Sequence, residues 1–127
     1  MTGRQLTAGA IAALGLLATA APIAAKDGDV IVRGKCTKAS TSKLKLSEED
    51  GRIEIELEVD QNRSGVRWAV TLRRQSQVVL RTTRVTRAPS GSFEVRRVVA
   101  DLVGPDLISA RATSASGEVC TASVTFR

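Results

Sequence analysis

From residue 30 onward, hydrophobic and polar positions alternate along almost the whole chain, whereas residues 6–23 form one long apolar run. Val30, Val32, Gly34 and Cys36 share one phase. Lys43-Leu44-Lys45-Leu46 gives a short second segment, closed by the turn-like Ser47-Glu48-Glu49-Asp50-Gly51. Ile53, Ile55, Leu57 and Val59 then alternate with Glu54, Glu56 and Glu58, the pattern of a strand with one face on a core and the other in water. Past the turn residues of 60–65, Val66, Trp68, Val70 and Leu72 face one way and Arg67, Ala69, Thr71 and Arg73 the other. Arg74-Gln75-Ser76 reads as a hairpin turn into a strand over 77–85, and residues 86–91 break the pattern again. Phe93 and Val95 resume it, but Val98-Val99 falls out of phase, which predicts a bulge or strand end near Arg96-Arg97. Ile108, Ala110 and Ala112 face in while Arg111 faces out. After a turn at Ser114-Ala115-Ser116-Gly117, the last inward set is Cys120, Ala122, Val124 and Phe126.

No stretch of this region carries a helical period, so the expected fold class is all-β. About seven short antiparallel strands punctuated by turns predict a single β-sandwich. Cys36 and Cys120 fall on the inward faces of the first and last strands, which places those strands side by side and predicts an intrachain disulfide. That bridge would close nearly the whole domain and is worth roughly 4–5 kcal/mol on chain entropy. A domain of about 100 residues hides only ~65% of its unfolded surface, so such a brace matters.

The apolar run changes the picture of where this domain works. Residues 1–25 carry one early charge, Arg4, then small apolar residues, then the polar start Lys26-Asp27-Gly28-Asp29. This is the layout of a secretory signal peptide. Cleavage after Ala25 is expected, with Ala20 as the other small-residue site. The mature domain is then 26–127, secreted to an oxidising compartment that favours disulfides. Gly15 and Pro22 interrupt the run, and no charge cluster stops it, so no membrane span is expected after cleavage.

Seven strands, a core tryptophan at Trp68 and the penultimate hairpin Arg111-Ala112-Thr113-Ser114-Ala115-Ser116-Gly117-Glu118-Val119 together resemble a bacterial immunoglobulin-like or fibronectin-III-like domain. The chain departs from that pattern by having no tyrosine, hence no tyrosine corner, and by placing its cysteines on the terminal strands. It also resembles the small secreted proteins of high-GC Gram-positive bacteria. Neither likeness implies an activity.

Chemistry is sparse. With no histidine and no tyrosine, the commonest general base and metal ligand are missing. Two cysteines without histidine cannot complete a zinc tetrahedron. No catalytic residue, cofactor site or metal site is expected. Ser40 and Ser42 near Lys38 and Lys43 suggest a serine–lysine dyad only by proximity, and are expected to be solvated. Glu54, Glu56 and Glu58 recur ~6.5–7 Å apart along one strand, a glycosidase-like separation. A flat strand face gives no pocket to raise a carboxyl pKa, so pairing with Arg33, Lys35 or Arg96 is the expected role. Residues 60–65 open like a calcium loop, but Thr71 stands where the closing acid is needed.

Charge distribution is more informative. The net charge of +6 falls to +5 once Arg4 leaves, and arginine outnumbers lysine 14 to 5. Between residues 63 and 97 there are nine arginines and one acid, Glu94, whereas residues 43–60 hold three bases and seven acids. Arg67, Arg73, Arg74, Arg81 and Arg84 are the candidate anion-binding surface, since guanidinium groups suit carboxylates, phosphates and sulfates. The ligand itself stays open. An acidic extracellular polymer or protein, such as a cell-wall polyanion, is the partner such a face would suit. The other reading is a solubilising, self-repelling face that protects exposed strand edges. Nucleic acid is not expected, because Trp68, Phe93 and Phe126 read as core residues and leave no stacking platform. The sequence thus points to a secreted, non-enzymatic binding domain. Its alternatives are an enzyme inhibitor displaying residues 86–92 or 102–108, and a small-ligand carrier with a cleft between the sheets.

Overall fold

Each alternating run becomes a strand in the computed structural model, which describes residues 28–127. The expected leader and its cleavage sites lie outside the described residues. The strands are β1 (Val30–Arg33), β2 (Lys35–Cys36), β3 (Thr41–Glu49), β4 (Arg52–Asp60), β5 (Arg67–Arg74), β6 (Gln77–Val85), β7 (Ser92–Ala100), β8 (Asp106–Ser114) and β9 (Val119–Phe126). They form two antiparallel sheets, one ordered β1-β3-β4-β7 and the other β2-β9-β8-β5-β6. Leu44, Leu46, Ile55, Leu57, Val59 and Val95 of the first sheet meet Trp68, Val70, Leu72, Ile108, Ala110 and Ala112 of the second. The fold is an all-β sandwich. Burying each of these aliphatic side chains contributes ~1.5–3 kcal/mol before chain entropy is charged against it.

Among the described residues, nine strands stand where about seven were expected, chiefly because the first divides at Gly34. β1 pairs with β3 in one sheet, and β2 pairs with β9 in the other. Gly34 marks the crossing: its N–H donates to Ser42 O at 2.9 Å. A Cβ there would collide with Ser42 Oγ and lie 2.8 Å from Thr121 O. The adjacency of first and last strands therefore holds for Lys35 and Cys36 alone. The second strand is also longer than its four-residue alternation suggested. Asp50 and Gly51 have φ of 53° and 75°, the pair of left-handed residues that a two-residue hairpin needs. Ser47, Glu48 and Glu49 consequently belong to the ladder rather than to the turn.

The bulge expected near Arg96-Arg97 is absent, since β7 pairs with β4 in unbroken register from Ser92 to Ala100. β7 is an edge strand, so Arg97 occupies a core-side phase and still reaches water; Val98 takes the outer phase and Val99 returns inward. The register shift lies instead between Leu72 and Arg73, against β6.

Two loops are locked together at one end of the sandwich. Thr86, only 2% exposed, accepts from Val66 N at 3.0 Å and donates to Arg63 O at 2.6 Å. Gln61 N donates to Gly91 O at 2.9 Å. Gly91 has φ of 73° and passes so close to Asn62 and Arg63 that a side chain would strike their backbone. No helix among the described residues is long and apolar enough to cross a membrane.

Candidate functional site

The outer face of the five-stranded sheet gathers cations that lie far apart in sequence. In an antiparallel ladder, directly opposed residues share a face. Thr71 pairs with Arg81 on one side and Arg111 on the other; Arg111 pairs with Thr121, and Thr121 with Lys35. Arg81, Thr71, Arg111, Thr121 and Lys35 thus form one row, with one residue from each of the five strands. Strands lie ~4.8 Å apart, so the row's three cations recur about every 10 Å. Arg73, paired with Ser109, lies one row away, and Arg67 lies two rows away on the other side.

Between these cations the face carries hydroxyls: Thr83, Thr113, Thr121, Ser109, Ser123 and Thr125. The outward positions of all five strands include no carboxylate. Arg67, Arg81, Arg111 and Lys35 are exposed and Arg73 is half-buried. Guanidinium forks among neutral hydroxyls can hold phosphate, sulfate or carboxylate groups without competition from acids on the protein.

Two of the five arginines singled out from the sequence stand elsewhere. Arg84 is opposite Trp68, on the core-side phase of edge strand β6, where it reaches water. Its Nη1 donates to Thr82 Oγ1 at 2.6 Å and to Thr83 O at 3.0 Å. Arg74 ends β5 beside Ile108 and donates from Nη1 to Ala100 O at 2.6 Å, tying the end of β7 to the other sheet. The face instead gains Arg111 and Lys35. The outward phase of Arg111 was readable, but nothing local announces that β8 lies against β5.

No family model, curated protein or solved structure matches the chain.

The opposite outer face, on the four-stranded sheet, mixes both signs of charge, and three of its cations are ion-paired. Arg96 contacts Glu54 and lies 3.3 Å from Glu56. Lys43 pairs with Glu58 at 3.3 Å, and Lys45 reaches Glu56 at 3.7 Å and Asp29 at 3.8 Å. The glutamate row therefore has an ion-pairing role, as expected, but through Lys43, Lys45 and Arg96 rather than Arg33 or Lys35.

The remaining candidate groups are structural. Cys36 and Cys120 are bonded and directly opposed across β2 and β9. Glu118, 3% exposed, accepts from Ser40 Oγ at 2.7 Å, Ser40 N at 2.9 Å and Lys38 N at 3.1 Å. These bonds clamp the segment after Cys36 onto the β8–β9 turn. Glu118 comes within 4.8 Å of both cysteine sulfurs, yet those sulfurs are joined and its own oxygens are engaged. Ser40 and Ser42 are buried rather than solvated. In the 60–65 loop, Asp60 Oδ1 accepts from Asn62 N at 2.9 Å, and Gln61 Oε1 takes the Trp68 indole N–H at 3.0 Å. That bond satisfies the one polar atom of a fully buried ring.

Asp106 starts β8 and is 3% exposed, with Oδ2 lacking a donor among the described residues. Burial pushes its pKa up, and the Asp101 carboxyl beside it adds to the rise by hydrogen bonding and by charge; Arg74 opposes both. Two carboxylates offer only acceptors, so their contact becomes a hydrogen bond once one is protonated. The loop between them projects Leu102, 53% exposed, and Val103, fully exposed.

Proposed function

We propose that this chain is a secreted, non-enzymatic binding domain that holds an acidic extracellular polymer, of the cell-wall or polysaccharide kind, on the outer face of its five-stranded sheet. The observation that carries the reading is the cross-strand row Arg81, Arg111 and Lys35, flanked by Arg73 and Arg67 on a face without carboxylates. A linear polyanion crossing the sheet meets a cation about every second strand, and the aliphatic stems of arginine and lysine cover the flat surface beneath it. The apolar leader and the disulfide support export. Kinship with immunoglobulin-like or fibronectin-III-like domains is part of the same reading, supported by Trp68 packed 5.9 Å from Phe93 across the two sheets.

Binding to a sulfated or phosphodiester polymer should weaken steeply with salt, since exposed charges are screened beyond ~8 Å at physiological ionic strength. Replacing Arg81 and Arg111 with glutamine is expected to lower affinity about tenfold. The paired control, Arg52→Gln with Arg127→Gln, should do little. Equal losses from both pairs would reduce the face to a basic, solubilising surface.

A second reading, a displayed inhibitory loop, is favoured by the exposure of Leu102 and Val103 at the tip of the 101–105 loop. A protease panel tests it: inhibition abolished by Val103→Ser would favour the loop over the sheet face.

A further inference from the structure

We propose that the open edge of β6 takes up an extended acidic polypeptide segment as an added strand, with Arg84 as the residue that reads its charge. β6 is last in its sheet, and its nine residues include no proline. Thr86 N–H donates to Val66 O at 2.9 Å, toward β5. Backbone direction alternates along a strand, so the N–H and C=O groups of Val85, Thr83 and Arg81 point to the free side. Arg84 corroborates this: its guanidinium folds back onto Thr83 O at 3.0 Å, an oxygen that the ladder leaves unused.

A bare edge of this length invites pairing with another strand, and natural proteins blunt such edges. Here the register shift beside Arg73 protects only the start of β6; over 81–85 the blunting is the charge of Arg81 and Arg84 and one reversible side-chain contact at Thr83 O. A second copy of the chain is a poor occupant, because β6 carries Arg81 and Arg84 and no acid, so pairing it with itself brings two basic strands together, and like charges repel. An acidic segment is the complementary one. Its backbone N–H replaces the guanidinium at Thr83 O, and its carboxylate receives the guanidinium so released. A hollow lined by Thr83, Arg84, Val85, Arg87, Phe93 and Glu94 runs beside this edge and leaves room for alternate side chains. Arg97, exposed on the facing edge strand β7, adds a further cation along the same side.

The test uses the mature protein and a short acetylated, amidated peptide alternating glutamate and valine. It is compared with the same peptide N-methylated at alternate residues, and with one carrying serine for glutamate. The acidic peptide should slow amide exchange at Arg81, Thr83 and Val85. N-methylation on the edge that meets β6 keeps every charge but removes the ladder donors, and should weaken binding about tenfold or more. Arg84→Gln should weaken the glutamate peptide and leave the serine peptide unchanged or tighter. Equal binding by the N-methylated peptide would overturn the proposal, as would binding lost in Arg111→Gln rather than Arg84→Gln; either result leaves the polyanion reading of the sheet face intact. No binding by any of the peptides would also overturn it. Conversely, edge binding together with an inert Arg81→Gln/Arg111→Gln pair toward polyanions would sink the face reading alone.

Discussion

The two outer faces of this sandwich carry similar numbers of cations and use them differently. On the four-stranded sheet, Lys43, Lys45 and Arg96 are each opposed to a glutamate of β4 and ion-paired with it. On the five-stranded sheet, Lys35, Arg67, Arg73, Arg81 and Arg111 stand among threonines and serines with no carboxylate on their face. Net charge alone would not distinguish these arrangements. The register does, because it decides whether a cation faces an acid or a hydroxyl. A cation opposed to an acid serves the fold, whereas one left among hydroxyls remains free to meet something else.

The largest expected effect is on the stability of the whole domain. The bridge between Cys36 and Cys120, with a sequence separation of 84, closes most of the domain and pins the short β2 to β9. Replacing both cysteines with serine should cost about 4 kcal/mol, read as a large drop in melting temperature. A loss below about 1 kcal/mol would mean that β2 holds its place without the bridge, read as retained order at Lys35 in the reduced protein.

A sharper test of the comparison substitutes the same residue type on each face. Arg96→Gln removes the shared partner of Glu54, which is 9% exposed, and Glu56. It should destabilise by about 1 kcal/mol, a modest figure because Arg96 itself is largely exposed. Arg111→Gln should change stability by less than ~0.5 kcal/mol. Chemical denaturation of the two variants decides it, and equal costs would mean that the faces do not differ as described.

Much of this was legible in the sequence, and the limits have a physical cause. Alternation placed Trp68, Val70 and Leu72 inside and Arg67 and Arg73 outside, because strand faces repeat every two residues wherever one side is buried. It also put both cysteines on inward faces. Alternation says nothing about which strands are neighbours, so the union of Arg81 with Arg111 and Lys35 was hidden. It also fails at edges: Arg84 and Arg97 share the phase of core residues yet reach solvent. Gly34 gave the right phase but not the change of sheet, which depends on Ser42 and Thr121 crowding it. Glu118 stood out only as one residue of the hairpin over 111–119, and only the fold brings Ser40 and Lys38 to its carboxylate.

A smaller effect lies at the end of the five-stranded sheet. The raised pKa of Asp106 means that the folded state holds a proton more tightly than the unfolded chain. Its stabilising contribution is full below the ordinary aspartate pKa and is lost as pH rises through the folded value. Asp106→Asn keeps a donor toward Asp101 at every pH. The difference in melting temperature between variant and parent should therefore move in the variant's favour as pH rises through that window. A difference constant with pH would remove the protonated pair from the account.

The central claim is that a polyanion lies on the outer face of the five-stranded sheet, and amide chemical-shift mapping with a soluble sulfated polysaccharide tests it most directly. The account predicts shifts concentrated at Lys35, Thr71, Arg81, Arg111 and Thr121, fading together as salt is raised, with Lys43, Glu56 and Arg96 unmoved. Shifts spread evenly over both faces, or centred on the ion-paired sheet, would contradict it.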